Sequence, residues 1–210
     1  MPVPVVYRKS TPLTRNVDFI DVVTGKGFQT FFAGKISGAI LTSFVFNSNH
    51  SSGGSYTHFT PTAGATFEKD LDMDFDTETL SLPLTVDGSA ILDVAIGNDS
   101  GSTNTFTVFV VGRISIWDGT TETLIGTAEG EAYTFDQLSA SASAERTGVQ
   151  IPLPRTIIKK GESLRLGVEV WTKDATGGTA HLNHDPAGKE IDNESTDTIM
   201  KLTIPIKLDL

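Results

Sequence analysis

The sequence contains no cysteine. That removes disulfide staples, thiol nucleophiles and cysteine-ligated metals together. Histidine and tryptophan are scarce, at four and two residues. No apolar run approaches the roughly 18 residues of a membrane-spanning helix, so no membrane partner is expected. Basic charge is also short: 16 Lys and Arg face 26 Asp and Glu, for a net charge of −10. Such a surface repels a phosphate backbone and argues against direct nucleic-acid binding. The opening Met1-Pro2-Val3-Pro4-Val5 has no basic stretch followed by an apolar one. It predicts a protein made without a signal peptide.

What is present favours strands. Gly, Ser and Thr are abundant, and Val, Ile and Phe dominate the apolar residues. No long apolar stripe of helical period appears; residues 133 to 144 could at most make one or two helical turns. Residues 67 to 76 carry the clearest pattern. Phe67, Lys69, Leu71, Met73 and Phe75 alternate with Glu68, Asp70, Asp72, Asp74 and Asp76. Period two places the first set on one face, with Lys69 as the exception, and a ladder of carboxylates on the other. Residues 198 to 208 alternate likewise, Met200, Leu202, Ile204, Ile206 and Leu208 inward, with Pro205 suggesting an edge strand.

Residues 105 to 117 are apolar at nearly every position, which suits a central strand covered on both faces. Asp118-Gly119-Thr120-Thr121 reads as a hairpin turn, and Val86-Asp87-Gly88-Ser89 and Thr24-Gly25-Lys26-Gly27 read as turns. Residues 47 to 64 read as a long polar loop. Further strands are expected near 39–47, 90–96, 123–128, 147–153, 163–172 and 180–183. The sum is an all-β fold: a jelly-roll-like antiparallel β-sandwich of eight to ten strands with little helix. Residues 18–210 form one domain. Residues 1–17 hold Arg8, Lys9 and Arg15 with no acid, and three prolines, which predicts an extended arm, either a frayed terminus or an arm suited to an acidic neighbouring subunit.

Candidate sites are few. Asp70, Asp72 and Asp74 resemble the start of a calcium loop, but Phe75 stands where that loop needs glycine. Glu68, Asp70, Asp72, Asp74 and Asp76 are better read as a solvated face or a subunit contact. His181 and His184 stand three apart, on opposite faces of a strand, which is wrong for joint metal ligation. His50 and His58 fall in the polar loop beside Tyr56. Trp117 and Trp171 fall at strand ends on the less buried parity. With Tyr56 they are candidates for stacking on sugar rings, against the plainer reading of packing under a loop. Gly-x-Ser-x-Gly, His-Glu-x-x-His and the phosphate-loop pattern are missing, so neither catalysis nor a cofactor is expected.

The stretch Val17-Asp18-Phe19-Ile20-Asp21-Val22-Val23-Thr24-Gly25-Lys26-Gly27-Phe28-Gln29-Thr30-Phe31-Phe32, with Leu182-Asn183-His184-Asp185-Pro186, resembles β-rich virion proteins of tailed bacteriophages. The resemblance implies a non-enzymatic structural subunit, such as a capsid decoration or tail-associated protein. It implies copies of itself and other virion proteins as partners, a homo-oligomeric state, and a place in the virion after synthesis in the host cytoplasm. The alternative is a carbohydrate-binding β-sandwich module using Trp117, Trp171 or Tyr56.

Overall fold

Alternation of buried and open residues along strand after strand builds two stacked sheets around one apolar interior. The computed structural model describes residues 15–16, 26–37, 42–47, 55–98, 105–136, 143–184 and 200–207. Among these there is no helix and there are thirteen strands. They are β1 (Arg15–Asn16), β2 (Lys26–Ser37), β3 (Thr42–Asn47), β4 (Ser55–Phe59), β5 (Glu68–Asp76), β6 (Leu84–Asn98) and β7 (Thr105–Trp117). Then follow β8 (Glu122–Glu129), β9 (Tyr133–Asp136), β10 (Ser143–Ile158), β11 (Ser163–Lys173), β12 (Ala180–His184) and β13 (Lys201–Lys207). The chain is an all-β, jelly-roll-like antiparallel sandwich, with more strands than the eight to ten expected because the short strands β1, β4 and β9 occupy stretches read as an arm, a loop and helical turns.

One layer is built on the long strand β6. β10 pairs along one edge of it, and β12 and β13 share the other. β12 continues to β4, and β13 continues to β2, which carries β1 and β3. The second layer runs β5, β11, β7, with β8 and β9 sharing the far edge of β7. A single parallel pair, Val45 with Asp76, joins the layers through β3 and β5. Between them lie Leu92, Val94 and Ile96 of β6, Val108, Val110 and Ile114 of β7, and Leu164, Leu166, Val168 and Val170 of β11, all fully buried.

Several local expectations change. Val86–Ser89 is not a turn but part of the first half of β6, where the registers of β10 and β13 both shift. Asp-Gly supplies a positive-φ residue, Gly88 at φ 128°, and a strand can use that as a bulge as readily as a turn. Pro205 is not on an edge: β13 is paired on both sides, and the shift opposite β6 spares the proline a missing hydrogen bond. Lys26 and Gly27 lie in β2 rather than a turn, and β4 occupies part of the expected 47–64 loop. Tyr133–Asp136 is strand β9, not helix; Phe135 stacks on Phe106 at 5.0 Å, and that packing outweighs a weak helical preference. β7 is fully covered on one face only, since Thr105, Thr107, Phe109, Val111 and Arg113 are half-buried.

The 118–121 turn forms as expected. Asp118 Oδ1 accepts from Thr120 N at 2.8 Å and Thr121 N at 2.7 Å, and these bonds hold its carboxyl below the usual range. Met200, Leu202, Ile204 and Ile206 point inward, and Leu208 lies outside the described residues.

Candidate functional site

The outer face of β5, β11, β7 and β8 gathers most of the charged side chains that the sequence marked as candidates. Met73 and Phe75 of β5 are buried and Leu71 packs against the core, so Asp72, Asp74 and Asp76 point outward as the alternation requires. The ladder is broken at Asp70, where β5 carries one extra residue opposite Val170 and Trp171. That bulge turns Lys69 off the apolar face. Its ammonium lies 2.7 Å from Asp72 and 3.4 Å from Glu169, and the hydrogen bond to Asp72 raises its pKa. Asp70 instead accepts from Thr62 N at 3.1 Å, Thr62 Oγ1 at 2.7 Å, and the hydroxyl of Thr172, fastening the preceding segment to β11. Glu68 is exposed at the start of the strand.

The remaining acids are answered from within the molecule. Arg165, on the middle strand β11, donates twice to Asp76, at 2.6 and 2.8 Å, and reaches Glu122 of β8 at 3.3 Å. It also lies 4.3 Å over the ring of Trp117, a cation–π contact. Its pKa is raised, first by the hydrogen bond to Asp76. Arg113, on β7, crosses a whole strand. Its guanidinium is 2.8 Å from Asp72, 3.7 Å from Asp74 and 2.8 Å from Glu169. The crossing is possible because its partner on β11 is Gly167, where a Cβ would stand 2.9 Å from the Arg113 Nε.

Asp74 is the least compensated member. Burial, its largest perturbation, raises its pKa; Arg165 opposes this and Glu122 adds to it. A raised folded-state value means the ionised form destabilises the fold above that value, and the penalty is absent below the ordinary carboxylate range. Asp74→Asn should therefore raise the melting temperature slightly at pH 7. The gain should shrink to nothing as pH falls through the acid range. A drop at pH 7 in a thermal scan would show that the arginine contacts outweigh burial.

At one end this face opens into a groove of about 650 Å³ lined by Phe67, Phe109, Val111, Glu129, Gly130, Ala132, Glu169 and Trp171. Trp171 and Phe109 are cross-strand neighbours with rings 6.0 Å apart and 9° from parallel, and Phe67 meets Phe109 edge-on at 4.8 Å. The indole Nε1 donates to Glu169 Oε2 at 2.8 Å, which fixes both side chains. Glu169 is thereby held three ways while its side chain is only 10% exposed.

Of the three candidate stacking aromatics, only Trp171 is in the groove. Trp117 lies beside Ser163, eight residues away along β11, or roughly 27 Å by strand rise. Tyr56 lies in the other layer, exposed on β4 with its ring 4.8 Å from those of His58 and His181. His181 and His184 do face opposite ways. His184 accepts or donates at Thr57 Oγ1, 2.9 Å away, and meets Phe75 at 5.9 Å, whereas His181 meets Tyr56. Among the described residues no three His, Asp or Glu side chains gather in a metal-binding arrangement. Arg15 is in β1, while Arg8, Lys9 and His50 lie outside the described residues. Sequence reasoning missed Phe67, Phe109, Glu129 and both network arginines. Only the outward parity of Phe109 and Arg113 within 105–117 could have signalled any of them.

No family model matches the chain, and no curated protein matches it. Among solved structures it is similar to a CocE/NonD family hydrolase from Staphylococcus aureus at 12% identity, TM-score 0.47, over 84% of this chain and 36% of that one. It is similar to an α-amino acid ester hydrolase at 11% identity, TM-score 0.48, over 85% and 36%. It matches the structure of infectious bursal disease virus, Gx strain, at 10% identity, TM-score 0.27, over 92% and 52%. The chain thus spans little more than a third of the length of the hydrolases it matches.

Proposed function

We propose that the chain is a non-enzymatic structural subunit of a virus particle, of the tailed-bacteriophage kind its sequence resembles, assembling with copies of itself and other virion proteins. The observation that carries this reading is the outer face of the β6, β13 and β2 layer. Ile91 is 48% exposed on β6 and Phe28 is 42% exposed on β2, with the hydrogen-bonded pair Thr30 and Thr203 between them. Apolar side chains on the interior strands of a sheet suit contact with another folded protein. β1 pairs with β2 at Phe28, so the basic arm is rooted beside this face. The carboxylates of Asp72, Asp76 and Glu169 are occupied by guanidinium groups, which suits a rigid sheet better than acid–base catalysis.

Native mass spectrometry and electron microscopy of the purified chain test the reading. Discrete oligomers or particles are expected. Removing residues 2–14, or making Ile91→Asp, should abolish them while the β-type dichroism spectrum persists. A monomer that binds no particle, or assembly indifferent to both changes, would overturn it.

A further inference from the structure

The groove at the end of the ion-paired face is lined by three aromatic side chains and two carboxylates. We infer that it binds a neutral glycan, holding one or two pyranose rings against Trp171, Phe109 and Phe67 with Glu129 accepting from ring hydroxyls. Its volume of about 650 Å³ lies within the range of small-ligand sites. Its composition sets the class. The aromatic walls offer apolar faces to the C–H face of a sugar ring. Glu169, on the floor, already accepts from Arg113, Lys69 and Trp171, so it orients the indole and contributes no spare charge. Glu129 is exposed and has no charged partner among the described residues, leaving one acceptor at the rim.

A cationic ligand fits less well. Lys173 Nζ already lies 4.9 Å over the Phe67 ring, and the charge of Glu169 is spent on Arg113 and Lys69. A cation would gain one carboxylate and compete for the Phe67 face with the ammonium of Lys173, itself paired with Asp174 at 3.5 Å, whereas a neutral polyol needs only an acceptor and an apolar face. An anion would face Glu129 unscreened.

The site is separate from the proposed assembly face, and its test uses the free protein, so either reading can fail without the other. A glycan array of mono- to tetrasaccharides identifies a ligand. That glycan is then titrated into the Trp117→Phe protein, whose remaining tryptophan, Trp171, reports by fluorescence. A saturable change is expected. Glu129→Gln should weaken binding about tenfold without moving the melting temperature, since an exposed side chain without a charged partner contributes little to stability. Trp171→Ala, titrated by calorimetry because the change removes the fluorescent reporter, should remove binding. No saturable glycan binding at millimolar concentration would overturn the inference. So would glycan binding indifferent to both changes, or saturable binding of tetramethylammonium in place of any glycan.

Discussion

Phe75→Ala is expected to cost about 3–5 kcal/mol of unfolding free energy, read by denaturant titration. The ring is fully buried on β5. Across the strand pair it is opposite Leu166 of β11, and its ring lies 5.9 Å from that of His184 on β12, in the other layer. Phe75 therefore contacts both sheets close to the one parallel pair that joins them, Val45 with Asp76. The layers cannot close over the lost ring without disturbing that joint, so a loss toward the upper end is expected. Phe75→Leu, which keeps most of the volume, should cost far less. A loss below about 1 kcal/mol for Phe75→Ala would place this residue outside the core.

Gly126→Val should be the next most damaging single change, at about 1–3 kcal/mol or more. Gly126 lies on β8, where the sandwich edge brings β10 close. A Cβ there would stand 2.7 Å from the carbonyl oxygen of Pro152 and 2.6 Å from Leu153 Cδ2. A side chain can change rotamer, but a carbonyl in a paired strand moves only with its strand. Gly112 makes the contrast. Its Cβ would meet only side-chain ends, Ile151 Cδ1 at 2.6 Å and Leu92 Cδ2 at 2.9 Å, so Gly112→Ala should be milder. Gly148→Ala serves as the control, since its nearest atom is 3.9 Å away and it should change stability by no more than about 0.5 kcal/mol. Equal melting temperatures for Gly126→Val and Gly148→Ala would mean that β8 and β10 do not meet as described.

The class of fold was legible because burial repeats every second residue. Met73 and Phe75, and the run from Met200 to Ile206, show their buried faces in the alternation of the sequence itself. Two things were not legible, each for a physical reason. Glycine and proline report a backbone requirement without saying which structure meets it. Asp87-Gly88 and Pro205 read as a turn and an edge, yet both serve bulges inside a paired sheet. Pairing between distant strands also leaves no local trace. Phe67, Phe109, Glu129 and Trp171 are spread over half the sequence and meet only because β11 lies between β5 and β7.

The acid ladder shows the same limit at the level of charge. Seen along β5 alone, Asp72, Asp74 and Asp76 are like charges that call for an outside partner. In the fold, Arg113 and Arg165 arrive from neighbouring strands and Lys69 is turned toward them by a one-residue bulge. Three basic groups thus answer five carboxylates, Asp72, Asp74, Asp76, Glu122 and Glu169, so this face becomes a stiff, ion-paired sheet that keeps a net negative charge and borders an aromatic groove.

A double-mutant cycle on Arg165→Met and Asp76→Asn tests that internal pairing most directly. Arg165 is only 15% exposed and bonds Asp76 through two nitrogens, so a coupling of about 1–2 kcal/mol is predicted, largely retained in high salt. Strict additivity, with a coupling under about 0.3 kcal/mol, would mean that the carboxylates stand in solvent and that the face is open to an outside partner after all.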